Sequence, residues 1–154
     1  MHIRVQNCPD DALKKKIKDI SQYVLFQMLP RKKLLNNVSL AISFNEKKVN
    51  DENAWGLCEW KDNRYNPRRF DITLHPDLSN YHMFETLIHE LVHVKQYLIG
   101  DVFDYASGDA RWKKWTYDYD FLQSAKTTSD FPWEKEAVLL ATKYLDRCKK
   151  NKIL

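Results

Sequence analysis

The stretch TLIHELVHVKQY, residues 86–97, sets two imidazoles four residues apart, His89 and His93, with the carboxylate of Glu90 beside the first. On a helix, residues four apart share a face with their Cβ atoms about 6 Å apart, so both rings can aim a nitrogen at one cation. Glu90 lies about 100° round from His89, near enough to reach a water on that cation without binding the cation itself. This is the residue set of a hydrolytic zinc site, where the metal lowers the pKa of water toward about 7 and a neighbouring carboxylate takes the proton. The plainer alternative is a core helix, with Leu87, Ile88, Leu91, Val92 and Leu98 as its buried stripe and the histidines satisfied by ordinary polar partners. Two imidazoles and a carboxylate packed so closely on such an apolar helix are costly to bury without a shared task, which favours the metal.

A catalytic zinc commonly takes three protein ligands and leaves a fourth position open. The histidines are His2, His75, His82, His89 and His93, so none follows the motif and an HExxHxxGxxH arrangement is excluded. His82 stands about 10 Å from His89 along the helix axis, too far to share an ion. His75, in the loop before the helix, is one alternative. The other lies in FPWEKEAVLLATKYL, which opens a last helix with two carboxylates, Glu134 and Glu136, on a segment able to pack antiparallel to the motif helix. One of the two is the expected third ligand. Carboxylates in a first helical turn also complement the helix dipole, a role that suits Glu134 better than Glu136. Glu85, one turn before His89, is a candidate partner for the site or an ordinary exposed glutamate.

Helical spacing of Leu13, Ile17, Ile20, Val24 and Met28 predicts a helix over 10–28, opened by Pro9 and Asp10 and stopped by Pro30. Alternation predicts strands over 38–44, 54–60 and 70–74, the last two as a hairpin, with a polar loop over 45–53. The motif helix is capped by Ser79 or Asn80 and ends at Gly100. Residues 101–132 are irregular and aromatic, with room for one short strand in RWKKWTYDYDF. Tyr117 or Tyr119 is a candidate donor to a developing oxyanion, although most aromatics there suit packing. A final helix starts at Pro132 or Trp133. The order is α, β, β, β, α, irregular, α.

With 154 residues, 44% hydrophobic and 30% charged, the chain suits one domain over 1–154 and not a disordered or low-complexity protein. No signal peptide or membrane-length apolar run is legible, so a cytoplasmic location is expected, the host's cytoplasm if the chain is viral. Cys8, Cys58 and Cys148 are too scattered for a zinc ribbon and read as free thiols. The net charge of +4 comes in short basic clusters such as Arg31 to Lys33 and Arg68 with Arg69, which are solvated faces or a weak nucleic-acid contact.

HELVH followed far downstream by a Glu-Ala pair at the start of a helix resembles the gluzincin branch of the zinc metallopeptidases. There the glutamate directly before the alanine is the third ligand, and the resemblance therefore implies one zinc ion held by His89, His93 and Glu136, with Glu134 and His75 as the alternatives. FDITLHPDL through ETLIHELVHVKQY also resembles the SprT-like metallopeptidases, in which a strand, a short loop and this helix follow one another; that likeness spans roughly residues 54–100. SprT and Spartan proteins use a third histidine where this chain has none. The resemblance implies an α+β, zincin-like fold: a small, mainly antiparallel sheet of three to four strands packed on an N-terminal helix, the HExxH helix and a C-terminal helix. It implies a zinc-dependent endopeptidase acting on protein or peptide, with Glu90 as general base. The strand of Phe70, Asp71, Ile72, Thr73 and Leu74 is then the sheet edge on which an extended peptide lies. Spartan-like enzymes degrade proteins crosslinked to DNA, and the basic clusters suit weak DNA association. The rival from another class is a non-catalytic, zinc-containing binding protein that meets nucleic acid or a host protein through its basic face.

Overall fold

The computed structural model describes all 154 residues. The chain opens with a short strand, β1 (His2–Gln6), whose Ile3 and Val5 face inward and which sequence patterning had not singled out. Asp10 then caps α1 (Asp11–Met28), its carboxylate accepting the Ala12 amide at 2.9 Å. The helix stops at Leu29, which turns extended because Pro30 follows. After β2 (Ser39–Phe44), the expected polar loop is instead a short helix, α2 (Glu46–Asp51), started by Asn45 accepting the Lys48 amide at 3.0 Å and pinned by buried Val49. One apolar residue gives no periodicity to read, which is why this helix was not legible.

Strands β3 (Gly56–Trp60) and β4 (Arg69–Leu74) form the expected antiparallel hairpin. The sheet as a whole departs from the mainly antiparallel expectation: its order is β1-β2-β4-β3, with β1, β2 and β4 all parallel and only β3 reversed. Its inner face carries Leu40, Ile42, Phe70, Ile72 and Leu74, all fully or nearly fully buried, against Ile17, Ile20 and Val24 of α1. Burying each such side chain contributes roughly 1.5–3 kcal/mol. The strand of Phe70, Asp71, Ile72, Thr73 and Leu74 is therefore not the sheet edge: β4 is paired on both sides, and the free edge on this side is β3. Phe70, Ile72, Thr73 and Leu74 are also buried.

Helix α3 (Asn80–Ile99) carries the motif, begins after Ser79, and closes at Gly100, whose φ of 76° suits the left-handed C-terminal position. Its Leu87, Ile88, Leu91 and Val94 join the same core. Residues 102–117 hold three short strands where one was expected, β5 (Val102–Asp104), β6 (Ala110–Trp112) and β7 (Trp115–Tyr117), in a small antiparallel sheet. A short α4 (Tyr119–Ser124) follows, and α5 (Pro132–Lys150), with proline in its first turn, packs on α3. The architecture is α+β, with five helices around a small mixed sheet and a second three-stranded sheet. No helix is long and apolar enough to cross a membrane.

Candidate metal centre and its cleft

Helices α3 and α5 bring three side chains to one point: His89 Nε2 lies 3.1 Å from His93 Nε2 and 3.1 Å from Glu134 Oε2, and His93 Nε2 lies 3.3 Å from Glu134 Oε1. Ligand atoms about 2.0–2.1 Å from a tetrahedral zinc stand about 3.3 Å from one another, so the spacing and the two-histidine, one-carboxylate donor set both fit that ion. Electrostatics agree. Burial opposes charge on both partners, yet the contacts with His89 and His93 outweigh it and hold the Glu134 carboxyl down at about 2. Burial likewise works against a charged His93, but Glu134 and Glu90 hold it up at about 9. The cluster is built to keep positive charge at its centre, a proton or a cation.

The carboxylate that the structure brings to the two histidines is Glu134. Glu136, which the family resemblance selected, points elsewhere: its Oε2 accepts from Lys95 Nζ and from Gln96 Nε2, each at 3.0 Å. Two residues apart on a helix are about 200° apart around it, so Glu134 and Glu136 cannot both face the histidines. Glu136 serves the site through Gln96. That amide also donates to the Trp133 carbonyl at 2.9 Å, so both its N–H bonds are committed and its Oε1 is left facing His93 Nδ1 at 2.8 Å. An amide oxygen can only accept, hence Nδ1 carries the hydrogen and Nε2 is the atom offered to a proton or cation. Gln96 is completely buried, and sequence reasoning missed it although it sits one turn after His93.

Glu90 is 5% exposed, its carboxylate makes no hydrogen bond within the protein, and it lines a cavity of about 760 Å³ that His89, His93 and Glu134 also border. Burial raises the pKa of its carboxyl, with the nearby histidines opposing. Beside it, the edge strand β3 lines the cavity with Gly56, Leu57 and Cys58. Gly56 is required there: a Cβ at this position would stand 2.6 Å from Thr86 Cγ2 and 2.7 Å from Glu90 Oε1, so only glycine lets the strand come this close to the motif helix. Cys58 lines the cavity too, and burial followed by the charge of Glu90 pushes its thiol well up, leaving it protonated. At the far end Asp104 Oδ2 accepts from Tyr97 Oη and Trp60 Nε1, both at 2.8 Å, tying β5 to α3 and β3.

Other candidates fall outside the centre. His75 is buried against the Trp55 ring, and its Nδ1 accepts the Asp77 amide at 3.2 Å, away from the other two histidines. Neither tyrosine proposed as an oxyanion donor reaches the cavity: Tyr117 packs on Phe121 and Trp133, and Tyr119 covers Gly108 with its amide bonded to Asp109. Glu85 borders the cavity but faces His82 at 3.4 Å rather than His89. No protein-family model, no curated protein and no solved structure matches the chain.

Proposed function

We propose that the protein is a zinc-dependent peptidase of zincin-like fold, with His89, His93 and Glu134 as the ligands and Glu90 as general base. The observation that carries this reading is the meeting of three closely spaced ligand side chains with a buried carboxylate, free of hydrogen bonds, on the same cavity. Zinc held there would polarise a scissile carbonyl and make water a nucleophile near neutral pH. Glu90, raised by burial, accepts the proton of the attacking water and passes it to the leaving amine, so one water is added across the broken C–N bond. The Gln96 amide keeps His93 in the one tautomer that presents Nε2. The free edge of β3 runs beside Glu90 and offers unpaired main-chain groups to an extended peptide, the role that sequence had given to residues 70–74.

The test compares wild type with Glu90→Gln after zinc loading, measuring bound metal together with cleavage of casein and unstructured peptides. The reading expects the variant to retain zinc and to lose cleavage by about 10²-fold or more. A wild type that holds zinc and cuts no peptide, with or without DNA present, would instead favour a binding protein.

A further inference from the structure

The chain carries 25 lysines and arginines against 21 acidic residues, yet its cavity is lined by none of the former. Five carboxylates border it: Glu52, Glu85, Glu90, Asp104 and Glu134. Two of these belong to the proposed chemistry. The other three have no lysine or arginine within ion-pair distance, whereas carboxylates elsewhere, such as Asp11, Asp19 and Asp51, do. Glu85 has only His82, and Asp104 has only the neutral donors Trp60 and Tyr97. Both of those donors use Oδ2, so Asp104 Oδ1 has no protein partner on a residue that borders the cavity.

The placement is directional. Gly56 of β3 abuts Thr86 and Glu90, while Trp60 at the other end of the strand reaches Asp104 beside Tyr97, so the edge strand and α3 run alongside each other past the centre. Asp104 stands at the Tyr97 end, one turn beyond His93; Glu85 and Glu52 stand toward the Gly56 end. Negative charge thus flanks the cluster on both sides of a cleft, where like charges lining the walls focus the field. Glu90, nine-tenths buried and unbonded, is aimed into the same space.

We propose that the cleft selects cationic peptides. A substrate residue bearing an ammonium or guanidinium group sits at the Tyr97 end beside the scissile bond, received by Asp104 Oδ1, while Glu52 and Glu85 draw further positive charge to the opposite end. The same charge keeps a nucleic-acid backbone out of the cleft, confining any such contact to the basic clusters outside it. The scissile bond in this statement rests on the peptidase reading; the charge preference does not.

The experiment uses one extended peptide in three versions, with lysine, alanine or glutamate at the varied positions. Affinity for zinc-loaded Glu90→Gln protein is read by fluorescence anisotropy, and cleavage by zinc-loaded wild type is read in parallel. The lysine version is expected to bind roughly tenfold tighter than the glutamate version at low salt, with the gap narrowing as salt rises. Asp104→Asn, whose amide oxygen still accepts from Trp60 and Tyr97, should cut the lysine preference by roughly three- to tenfold, and the exposed Glu52→Gln by less. Equal affinity for the three versions, or a glutamate preference, overturns the proposal. A lysine preference in binding with no cleavage overturns the peptidase reading and leaves the cleft's charge selection standing. No binding and no cleavage overturns both.

Discussion

Glu134 and Glu136 stand two residues apart on α5 and do opposite things: Glu134 Oε2 lies 3.1 Å from His89 Nε2, while Glu136 Oε2 accepts from Lys95 and Gln96 at 3.0 Å each. The first can bind an ion and the second orients the amide that holds His93. Two carboxylates that look interchangeable in sequence therefore carry separable consequences.

Replacing Gln96 with methionine keeps the length of the side chain and removes its amide. His93 then loses the acceptor that fixes its tautomer, and Trp133 and Glu136 lose a donor. Zinc affinity, measured by competition with a chromophoric chelator, is expected to fall about 10- to 100-fold. In the metal-free protein above about pH 9, where His93 is neutral, its nitrogen-15 correlation spectrum should change from the Nδ1–H pattern to a mixture of tautomers. Unchanged affinity and an unchanged spectrum would show that Gln96 plays no such part.

Gly56→Ala puts a methyl group within 2.7 Å of Glu90 Oε1 and 2.6 Å of Thr86 Cγ2. Either β3 backs away from α3 or Glu90 is displaced, at a cost of about 1–3 kcal/mol. Because His89, His93 and Glu134 are untouched, zinc content should persist while peptide cleavage drops. A variant as active and as stable as wild type would mean that the strand does not press on the base.

Protons would compete with a metal at this centre. His93 is raised from 6.5 to about 9, so its contacts stabilise the metal-free fold fully below about pH 6.5, and that contribution is lost as pH rises through about 9. Glu134 is lowered from 4.5 to about 2, so its contribution is present above about pH 4.5 and is lost as pH falls through about 2. Thermal denaturation of the metal-free protein should therefore show both contributions only between about pH 4.5 and 6.5. At pH 7.5 His93 still carries its extra proton, and zinc binding should release about one proton, read from calorimetric enthalpies in buffers of different ionisation heat. Release of none would contradict a charged His93.

The helical half of the molecule was largely legible because its signals are local. Asp10, Pro30, Gly100 and Pro132 mark helix ends that the structure places within a residue or two of expectation. The four-residue spacing of His89 and His93 likewise fixes a shared face. The sheet order was not legible, since nothing in HIRVQ or SLAISF says that these strands run parallel with β4 between β2 and β3. The choice between the two glutamates was recoverable. Glu134 precedes buried Ala141 and Leu145 by seven and eleven positions, within about 20° of the α5 stripe that faces the core, while Glu136 lies about 140–180° away from both. Helical phase thus points to the carboxylate that the structure brings to the two histidines, where motif resemblance points to its neighbour. Asp104 and Trp60 are far apart in sequence and lie on different sheets, so no spacing could have joined them.

The most direct measurement is the zinc content and affinity of wild type, Glu134→Gln and Glu136→Gln after dialysis against trace metal. One zinc per chain is expected for wild type and for Glu136→Gln, the latter weakened only modestly, with Glu134→Gln losing affinity by at least about 10²-fold. A wild type without stoichiometric zinc, or a Glu134→Gln variant that holds it as tightly as wild type, would contradict the metal centre described here.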